Sequence, residues 1–189
     1  MVSFSDSPAP LHSVHFYDQD SALIQRLGSM IASAMESGDS ALVVATESHR
    51  AQLASILTKH GFNVPQLETN GSLSFLNAHE TLALFMVNGL PDRELFLESV
   101  GKLIGSAKEA ARQPSRVLTV FGEMVAVLWE QGNKLGAVQL EARWNELLRD
   151  RAFHLHCAYP RSLFADEDPG SEMKAIAEVH SHVVGYSTA

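Results

Sequence analysis

Two periods of apolar and polar residues alternate along this chain. Leu11–Tyr17 (LHSVHFY) alternates polar and apolar positions and reads as a short strand. Leu23, Ile24, Leu27, Met30, Ile31 and Met35 then recur every three or four residues, which predicts a helix over 20–37 stopped at Gly38. Ser40–Thr46 (SALVVAT) is continuously apolar and predicts a central strand covered on both faces. A helix over Ser48–His60 follows, with Leu53, Ile56 and Leu57 as its stripe and Gly61 as its stop. Asn70-Gly71 marks a turn, Ser72–Leu76 a short strand, and His79–Asn88 a helix ended by Gly89.

Pro91-Asp92 opens the next helix, whose apolar face is Phe96, Val100, Leu103 and Ile104; it runs toward Arg112 and breaks at Gln113-Pro114. Arg116–Phe121 (RVLTVF) predicts a second deeply buried strand. The longest helical pattern covers Val125–Arg149, interrupted near Gly132-Asn133. Phe153–Tyr159 (FHLHCAY) predicts a last strand limited by Pro160, Ala165–Gly170 an acidic loop, and Glu172–Val184 a closing helix. Strands alternating with helices predict an α/β fold, a mostly parallel central sheet of about five strands with helices on both faces. The pattern reads as one domain over residues 11–185, preceded by a flexible N-terminus at 1–10.

Composition narrows the function. Of 189 residues, 46% are apolar and 19% charged, which supplies a sizeable core and argues against extensive disorder. Fourteen basic against twenty-two acidic residues give a net charge of −8, which repels a phosphate backbone and disfavours direct nucleic-acid binding. The single cysteine, Cys157, excludes an internal disulfide and a multi-thiolate zinc site, and fits a reducing, cytoplasmic compartment. Met1–Pro10 has neither the basic start nor the apolar run of a secretory signal, and no stretch approaches the ~20 apolar residues of a membrane helix.

Ligands of open parallel sheets bind beyond the carboxyl ends of the strands. The residues expected there are His15, Tyr17, Thr46, His49, Glu123 and Tyr159, which together predict a binding crevice. His15 and His49 would exchange hydrogen bonds with a ligand, Glu123 would orient a polar group or cap the following helix, and the two tyrosines would form an amphipathic wall. No phosphate loop and no dinucleotide fingerprint occur, so a nucleotide site would be a degenerate one. No GxSxG is present, and Cys157 beside His156 on a strand points to the opposite face, so the pair cannot act as nucleophile and base. Cys157 reads as a small buried hydrophobe. His154 and His156 share a strand face and form the one two-ligand pair open to a metal-dependent enzyme, with His15 or His49 as third ligand. His180 and His182 diverge on their helix. No catalytic residue, metal set or cofactor is assigned.

With these residues located, the chain resembles the methanogen/methylotroph DcmR sensory domain, or MEDS, family. The features that carry the resemblance run in order: His15-Phe16-Tyr17; Gly38 with Leu42–Thr46 and His49; Gly71 with Leu76-Asn77-Ala78, where the family often has Asp in place of Asn77; and Phe121-Gly122-Glu123-Met124-Val125. Leu128-Trp129, Gly132-Asn133, Leu140-Glu141, Trp144-Asn145, Cys157-Ala158-Tyr159-Pro160 and His180-Ser181 follow. The resemblance implies a RecA/KaiC-like fold without a working phosphate loop. It also implies a non-catalytic cytoplasmic sensory module that binds a small carbon compound or a signalling partner such as a histidine kinase or transcription regulator. Relative to longer members the chain has neither kinase nor helix-turn-helix segment, so its output would pass through a separate protein or a homodimer.

Overall fold

The computed structural model describes residues 11–110, 117–164 and 169–185. Its main sheet has six strands in the order β3 (Leu73–Asn77), β2 (Ser40–Ala45), β6 (Leu118–Gly122), β7 (His154–Pro160), β1 (Leu11–Tyr17) and β8 (His182–Val184). Every neighbouring pair is parallel. The α/β expectation therefore holds, with one strand more than anticipated.

Strand alternation divides the core in two. Tyr17, Val43, Phe121 and Ala158 face α1 (Asp20–Glu36) and α2 (Glu47–Lys59), which bring Leu23, Leu27, Ile31, Leu53 and Leu57. Val14, Phe16, Val44, Val120, Leu155 and Tyr159 point to the other face. There they meet Phe96 and Val100 of α5 (Arg93–Ala110), Trp129 of α6 (Met124–Glu130), Trp144 of α7 (Lys134–Asp150) and Ile176 of α8 (Pro169–Glu178). Helices on both faces explain why β2 and β6 are buried at every position and read as continuous apolar runs.

Three segments depart from the sequence pattern. The helix expected over His79–Asn88 is only α4 (Ala78–Ala83); a small hairpin follows, β4 (Met86–Val87) and β5 (Leu90–Pro91). Asn88 and Gly89 have φ of 52° and 81°, the paired left-handed turn that an Asn-Gly step forms and a helix cannot accommodate. A short helix not anticipated, α3 (Val64–Thr69), starts where the Asn63 side chain accepts the Gln66 N–H. The closing helix stops at Glu178, and residues 182–184 join β1 as the sixth strand instead. The Ser181 N–H donates to the His12 carbonyl at 2.8 Å and its hydroxyl accepts the His12 N–H at 3.0 Å, which turns the chain onto the sheet edge.

The break at Gly132-Asn133 is present as expected. Gly132 has φ 77°, and the Asn133 side chain caps α7 at Gly136 N–H while donating to the Gly89 carbonyl. The expectations for residues 1–10, for the break at Gln113-Pro114 and for most of the acidic loop fall outside the described residues. Among the described residues no helix is long and apolar enough to cross a membrane.

Candidate functional site

The chain leaves β2 for α2 on one face and leaves the adjacent β6 for α6 and α7 on the other. Neighbouring parallel strands whose helices part in this way open a crevice beyond their carboxyl ends, the switch point at which α/β sheets hold ligands. A cavity of about 240 Å³ lies there, lined by Tyr17, Asp20, Thr46, Ser48, His49, Glu123, Ala126, Val127, Glu130, Pro160 and Leu163.

Glu123 organises the floor. It is 5% exposed and directly follows β6, and its own N–H donates to the Val44 carbonyl at 2.9 Å. Its Oε2 accepts the Thr46 N–H at 2.8 Å, and its Oε1 lies 2.6 Å from Nδ1 of His49, a close ionic contact off the ideal hydrogen-bond line. The carboxylate therefore ties the end of β6 to the β2–α2 junction. It makes no cap on α6, which was one of the two roles expected of it.

Nε2 of His49 lies 3.6 Å from Oδ2 of the exposed Asp20. Contact with Glu123 raises the His49 pKa; burial opposes the shift, and the charges of Glu123 and Asp20 reinforce it. Burial, then Asp20 and Glu123, pushes the Tyr17 phenol well above its ordinary range. With both ring nitrogens facing carboxylates, the protonated form of His49 is favoured.

Four of the six expected residues thus meet, namely Tyr17, Thr46, His49 and Glu123. His15 lies on the same face of β1 but one pleat back, its ring 6.3 Å from that of Tyr17. It lines a separate small cavity of about 80 Å³ with Ser13, Arg26, His156 and His182. Burial, followed by the charges of Arg26 and Arg161, lowers its pKa.

Tyr159 is fully buried on the opposite face. The register pairs Phe16 with Tyr159 and Tyr17 with Pro160, so the two tyrosines are one residue out of step and cannot form a shared wall. Among the described residues no third ligand joins the His154/His156 pair. Nδ1 of His156 sits 2.5 Å from the Ser13 hydroxyl, and burial, with the positive potential of His154 and Arg26, pushes its pKa down to about 4.

A second polar cluster lies under α7. Among the described residues, three or more potential metal ligands converge at one place, where His12, Glu141, Cys157 and His180 bring ligand atoms within 4.8 Å of one another. Tyr159 donates its hydroxyl to Oε1 of Glu141 at 2.8 Å. Burial raises the Cys157 thiol and the Tyr159 phenol, and Glu141 beside them adds to both shifts. Burial also opposes ionisation of Glu141, yet the His180 and His12 rings against it hold the carboxyl well below the usual range.

A family model described as the MEthanogen/methylotroph, DcmR Sensory domain, MEDS, matches residues 11–181. The match takes in the crevice, the buried cluster and five of the six strands of the main sheet. The chain belongs to the MEDS family. A search of curated proteins returned no match.

In this MEDS domain, sequence reasoning passed over Asp20, Ser48 and Glu130 in the crevice, and His12 and Glu141 in the cluster. The last two carried a signal. Glu141 interrupts the otherwise apolar stripe Ala137, Leu140, Trp144, Leu147 and Leu148 of α7, and His12 shares its strand face with Val14 and Phe16. A charged or imidazole side chain on a core-facing stripe needs a buried partner. For Glu141 and His12, that partner is the other.

Proposed function

We propose that this MEDS domain is a non-catalytic cytoplasmic sensor that holds a small organic molecule in the crevice between the carboxyl ends of β2 and β6. One observation carries the reading: a nine-tenths-buried Glu123 binds both the Thr46 backbone and His49 at the switch point of the sheet, under an open polar cavity. The chemistry of the lining selects the ligand. Asp20, Glu123 and Glu130 stand around the cavity, and among the described residues no lysine or arginine lines it. That field disfavours phosphates and nucleotides and favours neutral or cationic compounds that donate hydrogen bonds. Ala126, Val127, Pro160 and Leu163 supply an apolar side for a short carbon skeleton.

The same geometry argues against catalysis. His49 could serve the Ser48 hydroxyl as a base only with a free ring nitrogen, and both of its nitrogens face carboxylates. Signalling requires that the ligand bind one arrangement of the domain better than another. Helix α6 links crevice to rest. It begins directly after Glu123, lines the cavity with Ala126, Val127 and Glu130, and ends at the Gly132-Asn133 joint. The altered surface is read by a separate signalling protein, a histidine kinase or transcription regulator, or by a second copy.

A thermal-shift screen of short alcohols, amines, amides and carboxylic acids, run beside nucleotides and inorganic phosphate, tests the proposal. Hits among alcohols, amines or amides that raise the melting temperature of the native domain, and lose most of that shift in Glu123→Gln and His49→Asn, support it. Shifts undiminished in both variants, or confined to nucleotides and other phosphates, contradict it.

A further inference from the structure

The cluster under α7 plays no part in the crevice, and its geometry is that of a metal site. Oε2 of Glu141 lies 3.3 Å from Nε2 of His12 and 3.4 Å from Nε2 of His180. Sγ of Cys157 lies 3.5 Å from Nε2 of His12 and 3.6 Å from Oε2 of Glu141. Zinc–nitrogen and zinc–oxygen bonds of about 2.1 Å and a zinc–sulfur bond of about 2.3 Å require tetrahedral edges of roughly 3.4 Å between N and O donors and roughly 3.6 Å where sulfur takes part. Four of the six edges already have those lengths. The two that join His180 to His12 and to Cys157 stay within 4.8 Å, so a short swing of one ring closes the tetrahedron.

The groups behind the ligands point the same way. Nδ1 of His180 contacts the Ile176 carbonyl at 2.7 Å, so that nitrogen carries the proton. Nδ1 of His12 contacts Oδ1 of Asn145 at 3.0 Å, and the amide is oriented by donating its Nδ2 to the Val179 carbonyl. Both rings therefore turn Nε2 toward the same point, the nitrogen whose lone pair a metal ion would take. His180 Nε2 makes no hydrogen bond although its side chain is 0% exposed. Tyr159 holds the remaining oxygen of Glu141 and aims Oε2 inward. Oriented imidazoles and an oriented carboxylate are the outer layer that metal sites require.

Charge closes the argument. One thiolate, one carboxylate and two neutral imidazoles balance a divalent cation, which removes the cost of a buried uncompensated ion. A cavity of about 540 Å³, bounded by His12, Asn145 and His180 among others, gives an ion access from solvent.

We propose that His12, Glu141, Cys157 and His180 bind one zinc ion in a closed structural site. Four protein ligands leave no open position for a substrate. The ion joins β1, α7, β7 and the turn after α8, and so pins the edge strand β8 to the sheet. It is independent of the crevice.

The untagged full chain, purified from zinc-containing medium, tests this by elemental analysis and by cobalt(II) titration of the chelator-treated protein. The expected results are one zinc per chain and the ligand-field bands of tetrahedral cobalt together with a near-ultraviolet thiolate-to-cobalt band. Cys157→Ala should lose the thiolate band. Asn145→Ala, at the rim of the site, should weaken zinc by about 10–100-fold in competition with a chromophoric chelator. The double variant His154→Ala/His156→Ala should leave both readouts unchanged. A folded native chain with no stoichiometric zinc and no cobalt bands overturns the proposal, as do bands that survive Cys157→Ala and an affinity untouched by Asn145→Ala. Should Cys157→Ala fail to fold, the native spectrum and the Asn145 variant still decide.

Discussion

Replacing Glu123 by Gln should cost stability in a way that depends on pH, and the sign follows from the crevice. The carboxylate accepts the Thr46 N–H and touches His49 while almost fully buried. Hydrogen bonds to a charged group contribute about 1.5–3 kcal/mol. Gln keeps an oxygen for Thr46 N–H but loses the charge that favours protonated His49, so a loss of about 2 kcal/mol at pH 6 is expected.

His49 has a folded pKa above its ordinary 6.5. Its stabilising contribution is therefore complete below pH 6.5 and drains away as pH rises through the folded value. The difference between native and variant unfolding free energies must be largest at pH 6 and shrink by pH 9. Urea unfolding at several pH values, followed through the buried Trp129 and Trp144, reads it. At urea slopes of about 2 kcal/mol/M the midpoint moves by roughly 1 M at the acid end. His49→Asn should flatten the same component, and the double variant should add little to either single one. An offset that stays constant across pH, or that grows toward pH 9, would refute the ionic account of the site.

Other consequences are as concrete. Phe164, in the 3-10 turn Arg161–Phe164, packs at ring distances of 5.2 Å on Trp129 and 5.6 Å on Phe16; Phe164→Ala should cost about 3 kcal/mol or more in urea and red-shift the emission of Trp129. Gly132→Ala meets no atom within 4 Å, so its cost is that of a left-handed backbone alone, about 1–2 kcal/mol by thermal unfolding, and less for Gly132→Asn. If Gly132→Ala leaves ligand response and partner affinity unchanged, the α6–α7 joint is not the moving part. Ser181→Ala removes both hydroxyl bonds to the His12 backbone and should speed hydrogen exchange at His182–Val184 while leaving β2 and β6 unaffected.

The sheet was legible because β2 and β6 are buried at every position and β1 at five of its seven, which leaves recognisable runs such as SALVVA and LHSVHFY. Strand β8 was not, because His182–Val184 is three residues at an edge, held by its pairing with β1 and by the long-range bonds between Ser181 and His12. The Asn88-Gly89 turn was written in the sequence, but the helical stripe that precedes it masked the signal. Thr46 and Glu123 follow their strands directly and His49 lies in the first turn of α2, so strand ends locate them. Tyr159 was misplaced because its face depends on the register of β7 against β1, which no local pattern encodes. His12, Glu141, Cys157 and His180 are drawn from four separate segments spanning nearly the whole chain, so only the folded topology assembles them.

The central claim is that the crevice beyond β2 and β6 recognises a small molecule without changing it. Amide chemical-shift mapping with a compound that stabilises the domain tests this most directly, with the compound recovered afterwards and identified. The account predicts shifts centred on Thr46, His49, Glu123 and Ala126, saturable in the native chain, absent in Glu123→Gln, with the compound returned intact. Shifts centred elsewhere on the sheet, or a compound returned chemically altered, would contradict it.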